Sequence, residues 1–115
     1  MKSLRKAFTL VEIMIVVLII GILLAIAVPN FIRARESSRA KACVSNLRQI
    51  DSAKEQYAMD NKLAAGGTIT GGLADLLTYI KKTPECPSSG TYTVGTVGTD
   101  PTCSVGGTGA TGHTL

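Results

Sequence analysis

Large aromatic residues are scarce: there is no Trp, and 115 residues hold two Phe and three Tyr. From Leu63 onward large apolar side chains are few as well. Those roughly 50 residues cannot enclose a large core alone, and must lean on what precedes them or be cross-linked. Histidine is nearly missing, His113 being the one example. None of GxSxG, GxxxxGK[ST], HExxH or CxxC occurs, so no catalytic constellation can be assembled. Asp75, Glu85 and Asp100 stand apart, without the dense oxygen ligands of a calcium loop. The expectation is a protein that is not an enzyme, with no cofactor and no metal. His113 falls in a Gly-rich tail and is expected at the surface.

Charge is absent from Ile13 to Val28, 16 residues rich in Ile, Val and Leu. With Phe8 to Glu12 in front, the run has 21 residues and a single charge, Glu12. As a helix it is about 32 Å long, close to the hydrocarbon thickness of a bilayer. Lys2, Arg5 and Lys6 precede it, a flank that by the positive-inside rule stays in the cytoplasm. They also account for most of the formal charge of +4; beyond them nine Lys/Arg face eight Asp/Glu. No basic face interleaved with aromatics is visible, so no nucleic-acid partner is expected. A conventional secretory signal, cut after Ala25-Ile26-Ala27, is the rival reading of this stretch. The apolar run is longer than an h-region of about 7–15 residues, and Glu12 does not belong in one. A carboxylate in a membrane helix calls for a partner.

Pro29 removes a backbone donor and is expected to kink the helix near Ala25. Beyond it Ala40, Cys43/Val44, Leu47, Ile50, Ala53 and Tyr57 recur at spacings of three and four, an apolar stripe on one helix face. No Gly or Pro interrupts Phe31 to Ala65, so the helix is expected to end at Gly66-Gly67. Leu73, Leu76, Leu77 and Ile80 predict a two-turn helix, closed by Lys81-Lys82 and Thr83-Pro84. Thr91–Val94, Thr96-Val97 and Thr102–Val105 predict short strands, the first and last as an antiparallel pair. The tail from Gly106 is expected to fray.

Cys86 and Cys103 bracket this hairpin. A disulfide between them would close an 18-residue loop, a cross-link of about 3 kcal/mol that suits a small domain in an oxidising compartment. The alternatives are two unpaired thiols, or two ligands of a metal site, for which no His or Cys cluster supplies the other ligands, His113 being the only histidine. Cys43 is expected as a small helix-packing residue.

Lys6-Ala-Phe-Thr-Leu-Val-Glu-Ile, the apolar run after it and Pro29 together resemble the class III signal of type IV pilins and type II secretion pseudopilins. The resemblance implies an α+β, pilin-like fold: a long kinked N-terminal helix on a small C-terminal domain with a short helix and a small antiparallel sheet. It divides the chain into a leader (1–7), a transmembrane and assembly half of the helix (8–29), an amphipathic half (30–65) and a small C-terminal region (66–115). It implies cleavage between Ala7 and Phe8 by a prepilin peptidase, N-methylation of Phe8, and pairing of Glu12 with the N-terminal amine of an adjacent subunit. It further implies loss of helix between Gly21 and Pro29 within the filament. Ala7 departs from the family, which usually has Gly before the cut. The function implied is a filament subunit of a type IV pilus or secretion pseudopilus. It would wait in membrane lipid, single-pass in the bacterial inner membrane with its C-terminus periplasmic. A platform protein and an ATPase would assemble it with copies of itself and other pilins. A minor tip subunit for adhesion or DNA uptake is the second reading, and a soluble periplasmic protein the third.

Overall fold

The computed structural model describes residues 7–115. Lys2, Arg5 and Lys6, and the leader assignment that rests on them, lie outside the described residues. Helix α1 spans Leu10–Asp60 with Pro29 inside it. Helix α2 spans Leu73–Leu76, and strands β1 (Tyr92–Thr93) and β2 (Thr102–Cys103) form a two-stranded antiparallel sheet. This is the α+β arrangement expected. The chain divides into a first unit ending at Ala34 and a second running Arg35–Leu115.

In the first unit every described residue is exposed, including Phe8, Ile15, Leu18 and Leu24. Among the described residues nothing covers this apolar helix surface, and α1 is long and apolar enough there to cross a membrane.

In the second unit the apolar stripe of α1 does what its spacing predicts. Ala40, Cys43, Leu47, Ile50 and Ala53 are buried. Ile50, Ala53 and Ala58 pack with Ile69, Leu76, Val94 and Val97, flanked by half-buried Tyr57, Leu63, Leu73, Tyr79, Ile80 and Tyr92. Asn46 ties the helix to the later chain, donating to the Glu85 carbonyl (2.9 Å) and the Tyr92 hydroxyl (3.0 Å).

Four expectations are corrected. First, α1 stops at Asp60, not at Gly66-Gly67. Lys62 takes the left-handed conformation (φ 54°), its N–H reaches the Met59 carbonyl (3.3 Å), and the Leu63 N–H reaches that of Ala58 (2.9 Å). This pair of bonds is a Schellman closure, and a lysine fills the position usually given to glycine. Gly66 and Gly67 instead exchange backbone hydrogen bonds with Val97 (2.7 and 2.9 Å). Second, α2 is one turn rather than two. Leu76 is fully buried, and the backbone then passes into turns in which both Tyr79 and Ile80 donate to the Leu76 carbonyl. Third, Thr96-Val97 is not a strand: Gly95 (φ 72°) and Gly98 (φ 87°) reverse the chain, and the Thr99 N–H donates to the Thr96 carbonyl at 3.2 Å. Fourth, the tail does not fray. A 3₁₀ turn at Gly109–Thr111 leads into His113, whose N–H donates to the Gly106 carbonyl at 2.9 Å and whose side chain is 2% exposed. Gly112 permits this, because a Cβ there would meet the Gly107 carbonyl oxygen at 2.9 Å.

Lys54, on the charged side of the helix by pattern, is also buried, at 1% exposure. Its ammonium donates to the Thr99 carbonyl and so fixes the 96–99 turn. Lys54→Met should leave that carbonyl unpaired and cost roughly 1–3 kcal/mol, read as a lower denaturant midpoint. Burial holds the Lys54 ammonium below its ordinary 10.5, outweighing the attraction of Asp51, Asp100 and Glu55. The folded chain therefore gives up this proton before the unfolded chain does. Wherever the unfolded state binds more protons, stability rises with pH, here through the window ending at 10.5. The wild-type chain should accordingly gain stability over Lys54→Met as pH climbs through that window.

Candidate assembly site and a buried thiol cluster

Ala7 and Phe8 precede α1, both exposed. Thr9 caps the helix. Its hydroxyl accepts from the Glu12 N–H at 3.3 Å, while the Glu12 carboxylate accepts from the Thr9 N–H at 2.9 Å. This reciprocal pair is a capping box, and the carboxylate sits where the helix dipole favours a negative charge. In the uncut chain, then, Glu12 has a partner of its own one turn back. Gly21 is exposed, and a Cβ there would have nothing within 4 Å. Its lack of a side chain relieves no contact among the described residues; it lowers helix propensity by roughly 1 kcal/mol relative to Ala. Pro29 lies within the same uninterrupted helix.

The second feature lies in the second unit. Cys86 and Cys103, expected to pair, face each other as thiols with sulfurs 3.6 Å apart. They are not alone. Cys43 of α1 reaches them from the buried stripe, and His113 places Nδ1 3.5 Å from Cys86 Sγ. Ligand atoms of all four residues lie within 4.8 Å of one another, and all four are buried. The surface position expected for His113 is therefore corrected, while Cys43 packs on the helix stripe as expected, against Leu47, Cys86 and Cys103. Burial pushes the Cys43 thiol up to about 12, against the hydrogen bond from Tyr92. Cys86 goes the other way, to about 7: burial raises it, but the N–H groups of Ser88 and Gly90, with smaller help from Cys103 and Cys43, outweigh that.

The family described as the prokaryotic N-terminal methylation motif matches residues 2–28, the segment that carries Ala7, Phe8, Glu12 and Gly21. Type II secretion system core protein G of Vibrio cholerae is 32% identical, with 96% of this chain and 92% of the relative covered. The chain belongs to the type IV pilin and type II secretion pseudopilin family. The ComG operon protein 3 homolog of Bacillus licheniformis is 34% identical over 73% of this chain and 84% of the relative. Type IV major fimbrial protein FimA of Dichelobacter nodosus is 47% identical, over 56% of this chain and 41% of FimA. No solved structure matches the chain.

Two features of the chain escape a reading of its sequence. The capping role of Glu12 is written in Thr9-x-x-Glu12, but the oddity of an acid in an apolar run draws the eye to the membrane instead. The convergence of Cys43 and His113 on the Cys86–Cys103 pair has only one early signal, the place of Cys43 on the buried stripe.

Proposed function

We propose that the chain is a structural, non-catalytic subunit of a helical filament, either a type IV pilus or a type II secretion pseudopilus. The observation that carries this reading is the exposed apolar surface that runs from Phe8 through the first part of α1 to Ile32, headed by one carboxylate. In lipid that surface is satisfied, and against copies of itself in a filament core it is satisfied again. On this reading a prepilin peptidase cuts between Ala7 and Phe8 and methylates the new amine. The subunit waits in the inner membrane with its second unit in the periplasm, and a platform protein and ATPase draw it into the filament with itself and other pilins. Glu12 exchanges its bond to the Thr9 N–H for the Phe8 amine of a neighbour. Loss of helix between Gly21 and Pro29 gives the packed helices slack.

N-terminal sequencing and intact mass of the mature chain test the first step. The expected product begins with N-methylated Phe8, and Ala7 in place of Gly slows the cut without moving it. A mature chain beginning at Val28 would instead mark a secreted soluble protein and refute the filament reading.

A further inference from the structure

We propose that Cys43, Cys86, Cys103 and His113 together bind one zinc ion as a structural centre. Zinc bonds of about 2.3 Å to sulfur and about 2.0–2.1 Å to nitrogen, at tetrahedral angles, place sulfurs about 3.8 Å apart and sulfur and nitrogen about 3.6 Å apart. The Cys86–Cys103 and Cys86–His113 separations are 3.6 and 3.5 Å. All four ligand atoms fall within 4.8 Å, so closing the shell takes movements of about an ångström or less.

The donor set selects the metal. Three thiolates and an imidazole suit zinc, and four protein ligands leave no open position, which makes the centre structural rather than catalytic. On binding, the three thiols release their protons to solvent and the imidazole binds neutral. Three thiolates around a divalent ion leave one net negative charge, and the surroundings are built to share it. Cys86 is held in a turn closed by the Ser89 N–H, which donates to the Cys86 carbonyl at 3.0 Å. The Tyr92 hydroxyl lies against Cys43, oriented by Asn46 at 3.0 Å. Such outer contacts hold ligand sulfurs in place. Gly90 leaves the sulfurs their room, since a Cβ there would lie 2.6 Å from Cys103 Sγ and 3.1 Å from Cys86 Sγ.

A Cys86–Cys103 disulfide is the competing use of two of these groups. It gives no role to the buried imidazole of His113, a polar group that costs free energy to take out of water. The metal engages all four. Its ligands come from α1, the 86–90 turn, β2 and the C-terminal segment, so one ion ties together a unit poor in large apolar side chains.

The test uses the full-length chain in detergent, with thiols alkylated at lysis and no chelator present. The expected result is one zinc per chain, three cysteines protected from alkylation until denaturation, and no mass loss from disulfide formation. Cobalt(II) exchanged into the site should show thiolate charge-transfer absorption and the intense visible bands of tetrahedral coordination. Cys43→Ser and His113→Ala should each weaken zinc binding by about 10–100-fold or more in competition with a chelator. His113→Ala is the deciding variant, because it removes no residue of the helix stripe; its fold is checked by circular dichroism. A chain that carries a Cys86–Cys103 disulfide and no zinc overturns the proposal, as does zinc binding that His113→Ala leaves unchanged.

Discussion

Glu12→Gln should give a subunit that is cut, inserted and folded, yet assembles at least about 30-fold less well. Removing one member of a charge pair formed away from water loses about 2–5 kcal/mol, at tenfold for each 1.4 kcal/mol. Glutamine is the informative replacement because it keeps the capping box: its carbonyl can still accept from the Thr9 N–H, as the carboxylate does at 2.9 Å. Glu12→Ala would confuse the matter, adding a cap loss of about 1 kcal/mol to any assembly defect. The measurement is the ratio of sheared or pelleted filament to membrane-held subunit, with the mature N-terminus verified by mass. Filament yield equal to wild type would dispose of the pairing role and leave Glu12 a helix cap.

Gly90→Ala should be the most damaging single methyl in the second unit. The added Cβ would lie 2.6 Å from Cys103 Sγ, 2.8 Å from Val105 Cγ2 and 3.1 Å from Cys86 Sγ. These neighbours are not free ends. Cys103 is held in β2 opposite Tyr92, and the Ser104 N–H donates to the Thr91 carbonyl at 2.9 Å. Overpacking of this kind costs about 1–3 kcal/mol. At roughly 0.05–0.15 kcal/mol per residue, a domain of this size has little to spare. Thermal unfolding followed by circular dichroism should show a midpoint lower by about 4–8 °C for each kcal/mol lost. An unchanged midpoint would mean that the 86–90 turn yields freely and that the sulfurs are not closely confined.

Much of this architecture is legible in the residues. The apolar run, its lone acid and the stripe from Ala40 to Ala53 are periodic signals, and the structure buries or exposes each accordingly. What the sequence conceals has physical causes. The end of α1 depends on Lys62 adopting a left-handed backbone, which no composition advertises, while Gly66-Gly67 offers a stop signal that the chain uses for a different bond. Lys54 falls on the polar side by pattern, but its long stem lets it cross the core boundary to reach the Thr99 carbonyl. The tail is the largest surprise. Its glycines deny it intrinsic order, yet they also let the backbone pack closely enough to bury His113.

That burial has a consequence for the order of events during synthesis. Cys43 emerges from the ribosome long before His113, and the two meet only when the C-terminal segment has arrived at the cluster. Until then the face of α1 that carries Cys43 and Leu47 lacks part of its cover. The second unit therefore cannot finish folding from its front end; it is sealed last, by a histidine set in the loosest stretch of the chain.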